Sequence, residues 1–93
     1  MKVEEIIDVL KNLGLGEYES KTYYTLVLLG PSRAGELSKQ SLVPQSKIYE
    51  TLEGLIDKQL VEVLEGRPRD YKAVPPEVAL RNLVTEREKN LQN

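Results

Sequence analysis

A mainly α fold carrying one small β-hairpin, an α+β arrangement, is predicted by the way apolar residues recur along this 93-residue chain. Apolar positions follow a period near 3.6 in successive stretches up to about Gln59 and again after Pro76. Between them, from Leu60, the period changes to 2 on both sides of Gly66-Arg67-Pro68-Arg69. Gly30-Pro31, Val43-Pro44 and Pro75-Pro76 punctuate the pattern, because Gly accepts a left-handed cap and Pro cannot continue a helical ladder. A chain of this size has room for one core, so residues 1–93 are read as a single domain.

The first helix is expected from about Lys2 to Asn12, where Val3, Ile6, Ile7 and Leu10 fall on one face and Gly14 stops the helix. A second runs from about Glu17 to Leu29 behind Gly16, an N-cap without a side-chain oxygen; Tyr24, Val27 and Leu28 are assigned to its core face. Ser32 is read as the cap of a short helix from Arg33 to about Gln40, with Glu36 one place late for a capping box. Ser41 to Pro44 forms a tight turn, since Pro44 disfavours helical geometry at Val43 and suits the start of the next helix. That longer helix is expected to reach about Gln59, burying Ile48, Leu52, Leu55 and Ile56. In the hairpin, Val61 and Val63 alternate with Glu62, and Tyr71 and Ala73 with Lys72. Placing Val63 opposite Tyr71 requires an odd loop, met by the five residues Glu65 to Arg69, and sets Glu62 opposite Lys72. The last helix, residues 76–93, has Val78, Leu80, Leu83, Val84 and Leu91 as apolar positions, with Arg87 interrupting the stripe. Tyr18, Tyr23, Tyr24 and Tyr71 are read as core or interface side chains with solvated hydroxyls.

Composition removes whole classes of chemistry. With no Cys and no His there is no disulfide, thiolate nucleophile, imidazole base or zinc knuckle. Glu4, Glu5 and Asp8 cluster but match no calcium loop or carboxylate pair, so no metal, cofactor or catalytic residue is assigned and the chain is read as no enzyme. The start places acidic residues where a signal peptide needs an apolar run, and no apolar run approaches the ~20 residues of a membrane span. A cytoplasmic protein with no membrane partner is expected. The net charge of −2 and pI near 5.2 have the wrong sign for an ordinary nucleic-acid protein. Residues 1–30 hold three basic and five acidic side chains, whereas 31–93 hold ten of each, so the excess lies entirely in the N-terminal third.

Helix, helix, short helix, turn, long helix, hairpin, helix is the order of a winged helix-turn-helix with extra N- and C-terminal helices. Such a unit places one helix in a major groove and a ribbon tip on neighbouring phosphates. The charges fall where that docking needs them. Gln45, Ser46, Lys47 and Tyr49 begin the long helix, where Gln can pair bidentately with adenine and the others suit the backbone. Arg67 and Arg69 flank Pro68 at the hairpin tip, Arg33 opens the short helix, and Lys72 is shared between a phosphate role and a pair with Glu62. These eight residues are the expected contacts to double-stranded DNA. The first and last helices have apolar stripes that one copy covers only in part, so a homodimer is expected, with half-sites about 34 Å apart.

Leu13-Gly-Leu-Gly-Glu-Tyr-Glu-Ser20, Leu29-Gly-Pro31, Leu42-Val-Pro-Gln-Ser-Lys-Ile-Tyr49, Leu60-Val-Glu-Val63, Glu65-Gly-Arg-Pro-Arg69 and Tyr71-Lys-Ala-Val-Pro-Pro76 together resemble the DNA-binding domain of archaeal TrmB-type transcriptional regulators. The resemblance spans about residues 10 to 84 and implies a winged helix that binds promoter DNA as a dimer. It also marks departures: Gly16 stands where the family usually has Thr or Ser, Leu42 and Gln59 where it has Gly, and Gln45 where Arg is frequent. Full family members add a C-terminal domain for sugars or other effectors, so the sequence is expected to act as a sequence-specific regulator without an effector domain. The alternative is a winged helix used as a protein-interaction module in transcription or other macromolecular machinery.

Overall fold

In a computed structural model, residues 2–92 are described, with side chains described over residues 2–89. The elements are α1 (Val3–Asn12), α2 (Glu17–Leu29), α3 (Ala34–Ser41), α4 (Gln45–Asp57), β1 (Val61–Leu64), β2 (Asp70–Ala73) and α5 (Pro76–Gln92). The strands are antiparallel, with Val63 opposite Tyr71 and Glu62 opposite Lys72. That is the register required by period-2 alternation around a five-residue loop.

The core lies where α2, α3 and α4 meet the hairpin, with Leu26, Leu37, Ile48, Leu52, Leu55 and Leu60 withdrawn from water. Removing an aliphatic side chain from water stabilises the fold by about 1.5–3 kcal/mol, so this cluster sets the relative positions of the three helices. The phase of α2 differs from the expectation. Its buried residues are Ser20, Thr22, Tyr23 and Leu26, while Val27 and Leu28 are exposed and Tyr24 is half-buried. Small polar residues form much of the inward stripe; Ser20 meets its own hydrogen-bonding needs by donating to the Gly16 carbonyl at 2.9 Å. On α5 the buried side chains are Ala79 and Leu83, with Val78, Leu80 and Val84 exposed, so the apolar stripe is covered only in part, as expected. The side chain of Leu91 lies outside the described residues.

Ser32 is not a helix cap. Arg33 occupies the N-cap of α3 without a capping side chain. Ser32 instead exchanges two backbone hydrogen bonds with Tyr71, at 2.9 and 2.7 Å, adding a one-residue third rung beside β2. Its hydroxyl donates to the Gly30 carbonyl. The turn between α3 and α4 is tied by Ser38, whose hydroxyl donates to the Val43 carbonyl, and by Ser41, whose hydroxyl accepts from the Val43 amide. Leu42 and Gln59, the two positions where the resemblance expects Gly, both have φ of 63°. The left-handed backbone costs a residue with a Cβ about 1–2 kcal/mol, which explains why Gly suits both places. Gln59 lies beyond the end of α4 at Asp57, two residues short of the expected boundary.

Gly16 caps α2 through a different device from a hydroxyl: its own amide donates to Glu19 Oε1 at 2.9 Å, the reciprocal half of a capping box. The same carboxylate pairs with Lys58 at 2.7 Å. A Cβ at Gly54 would stand 2.5 Å from Glu19 Oε2, so the missing side chain at Gly54 gives this carboxylate its seat against α4. The start of α2 is thereby fixed to the second half of α4.

Tyr23 reaches across the core and donates its hydroxyl to the Val74 carbonyl at 2.7 Å, in contrast to the solvated hydroxyl expected. Burial first, and the charge of Glu77 second, push its phenol up from 10.0 to about 12. Below pH 10 the side chain is neutral in both folded and unfolded chains, and its contribution is fully present. Above pH 10 the unfolded chain ionises first, so about 2–3 kcal/mol is lost as pH rises towards 12. Thermal melts from pH 9 to 12 should fall accordingly. Tyr23→Phe should flatten that fall while lowering stability near neutrality by about 1 kcal/mol, through loss of the hydrogen bond.

Candidate nucleic-acid interface

The site is built from the starts of α3 and α4 and from the hairpin. Arg33, Gln45, Tyr49 and Arg69 line one open cleft of about 710 Å³, floored by Tyr71 and Ala34 and bordered by Glu53. The elements that bring them together are the tight Leu42–Pro44 turn, which swings α4 across α3, and the Ser32–Tyr71 bridge, which draws the hairpin against the entry to α3. Ser46 and Lys47 are exposed on the first turn of α4 beside the cleft. Lys47 lies 3.7 Å from Glu50 and lines a neighbouring depression with Gly16 and Tyr18. Arg67 is exposed in the hairpin loop. Lys72 faces solvent on β2 away from the cleft lining, and although Glu62 is its register partner, the two are not among the ion pairs of the described residues.

Neither α3 nor α4 has a side-chain cap hydrogen bond at its N-terminus. First-turn amides that lack an intrahelical acceptor attract anions, and the helix dipole reinforces them. Two such ends border a cleft that also presents Arg33 and Arg69. The arrangement therefore accepts an extended anionic ligand along its rim and offers Gln45 as a bidentate hydrogen-bonding group.

Acidic neighbours temper this surface. Arg33 Nε lies 3.9 Å from Asp70 Oδ1, with both side chains well exposed. Burial raises the Tyr71 phenol above its ordinary value, with the phenol of Tyr49 and the carboxylate of Glu53 acting in the same sense and Arg69 opposing them. Glu36, Lys39 and Glu53, which also line the cleft, and Asp70 beside Arg33 were not among the expected contacts. Glu53 could have been found, standing one turn after Tyr49 on the same face of α4. Asp70 could not, because its neighbour Arg33 is brought close only by the long-range Ser32–Tyr71 bridge.

The three-helix core with a tight turn before α4 and a two-stranded wing after it defines a winged helix-turn-helix domain. Solved structures share the fold: the archaeal chromatin protein TrmBL2 superposes with a TM-score of 0.88 at 24% identity, over 98% of this chain and 36% of that one. A MarR-family transcriptional regulator from Silicibacter pomeroyi superposes with a TM-score of 0.69 at 17% identity, over 98% of this chain and 67% of that one. Residues 10–77 match the family model described as sugar-specific transcriptional regulator TrmB, and the chain belongs to that family. Over 83 residues it is 42% identical to the HTH-type sugar sensing transcriptional regulator TrmBL1 of Pyrococcus furiosus, covering 89% of this chain and 24% of that protein. The chain thus spans about a quarter of that relative's length. The family is one of transcriptional regulators and not of enzymes. No helix among the described residues is long and apolar enough to cross a membrane.

Proposed function

We propose that the chain is a transcription regulator that binds double-stranded DNA sequence-specifically, with α4 in the major groove and the wing on the flanking backbone. The observation that carries this reading is the convergence of Arg33, Gln45, Tyr49 and Arg69 on one cleft bordered by two uncapped helix starts. Gln45 reads a base edge, preferring adenine; Ser46, Lys47 and Tyr49 hold the helix against phosphates; Arg33, Arg67, Arg69 and Lys72 supply backbone contacts. The acidic excess lies in α1 and α2, and the cleft lining sets Arg33, Lys39 and Arg69 against Glu36 and Glu53, so the proposed contact surface does not share the chain's negative net charge. We place the DNA-reading role in these residues, acting in the cytoplasm, and assign no effector response to them.

The functional unit is a homodimer. Ile6, Val9, Leu10, Val27 and Leu80 line an apolar groove of about 320 Å³ between α1, α2 and α5, and Val3, Val9, Leu80 and Val84 are exposed on α1 and α5. A second copy covering these faces sets two α4 helices on successive half-sites, about one helical turn apart.

Mobility shifts of genomic duplex fragments, including the chain's own promoter, test the proposal at graded salt. Retarded complexes at low salt that weaken as salt rises are expected, with Gln45→Ala changing which fragments are retained. Absence of any complex at low salt overturns it and favours the protein-interaction reading.

A further inference from the structure

The Ser32–Tyr71 bridge has an electrostatic consequence. In an antiparallel pair centred on Ser32 and Tyr71, the next residue of one segment faces the preceding residue of the other, so Arg33 is set opposite Asp70. The register thus sets the two residues side by side, and their side chains approach to 3.9 Å. The contact is long, single and solvent-exposed. Such a pair contributes little to stability, and the guanidinium is free to leave it for a better anion.

A DNA phosphate is that better anion. Because Arg33 stands at the N-cap of α3 and lines the cleft beside Gln45 and Tyr49, a phosphate that meets its guanidinium does so beside the Asp70 carboxylate, which repels it and already partly neutralises the cation. Any duplex offers phosphates, whereas only the correct sequence also satisfies Gln45. A carboxylate that competes for Arg33 lowers affinity for every duplex alike, so that only a duplex that also satisfies Gln45 is held tightly.

We infer that Asp70 limits the affinity of this surface for DNA, its carboxylate competing with DNA phosphates for Arg33 and holding down binding to arbitrary sequence; this rests on the DNA-binding reading above. The chain's wing sheet thereby carries its own brake on non-specific binding, in addition to the arginines that promote it.

The test is the affinity of the intact chain for a duplex of arbitrary sequence, by fluorescence anisotropy from 50 to 200 mM salt. Asp70→Asn should bind about three- to fivefold more tightly at 50 mM and steepen the slope of log K against log salt by about one. Asp8→Asn on α1 makes the same change in net charge far from the cleft and should move neither quantity appreciably. In an Arg33→Gln background, most of the gain from Asp70→Asn should disappear. Thermal melting of the four variants should match that of the unmodified chain, since the pair is exposed. The inference is overturned if Asp70→Asn binds no more tightly than Asp8→Asn, if it binds more weakly, or if its gain persists undiminished without Arg33. Should the unmodified chain bind no duplex at 50 mM salt, the DNA reading itself fails, a result distinct from the other three.

Discussion

Replacing Arg67 and Arg69 together with Ala is expected to weaken binding to every duplex by about one hundredfold near 50 mM salt and to flatten the salt slope by about one to two units. Both arginines are exposed in the loop between Leu64 and Asp70, and neither belongs to an ion pair among the described residues. Their charges are thus available to phosphates without first breaking an internal contact, in contrast to Arg33. Since neither touches a base edge in the proposed docking, the loss should be nearly the same for specific and arbitrary sequences, leaving their affinity ratio unchanged. The loop lies outside the core, so the melting temperature should hold. Anisotropy titrations of both proteins across the same salt series check each part, and a large loss confined to one sequence would place these arginines on bases instead.

Leu26→Ala is the substitution expected to cost the fold most among those on α2. Leu26 is fully withdrawn from water at the centre of the cluster with Leu37, Leu52 and Leu55. Truncating it removes transfer energy and leaves a cavity that three helices cannot easily close, about 3–4 kcal/mol in all. A domain of this size has a total stability of roughly 5–14 kcal/mol, so the variant should melt far below the parent. Leu28→Ala, two positions along the same helix, should cost less than about 0.5 kcal/mol, because Leu28 is 66% exposed. Urea unfolding of the two variants side by side tests the rotational phase of α2 directly. Equal losses would mean that Leu28 is covered in solution.

That contrast also marks where sequence reading stops. The hairpin was legible to the register, because alternation of period 2 and an odd loop leave one pairing that buries Val63 and Tyr71 together. The start of α4 was equally legible, since Pro44 ends one geometry and begins another, and Gln45, Ser46, Lys47 and Tyr49 all emerge exposed. The face of α2 was not. Its inward stripe uses Ser20 and Thr22 at close approaches, while Val27 and Leu28 crowd its C-terminal turn outside the core, so apolar periodicity points to the wrong side. On α5, Val78, Leu80 and Val84 stay exposed, as a stripe only partly covered by one copy requires, while Leu83 packs together with the small Ala79, which apolar spacing did not single out. The Arg33–Asp70 pair depends on a bridge between residues distant in sequence, for which no local spacing gives a signal.

The central claim is that the cleft between α3, α4 and the wing is the surface that meets DNA. Titrating the 15N-labelled chain with a duplex of retained sequence and following its amide resonances tests it most directly. The account predicts shifts concentrated at Arg33, over Gln45 to Tyr49 and over Gly66 to Asp70, with α1 and the exposed side of α2 at Val27 and Leu28 unmoved. Shifts clustered on α1, Val27 and Val84, with α4 and the wing silent, would contradict it.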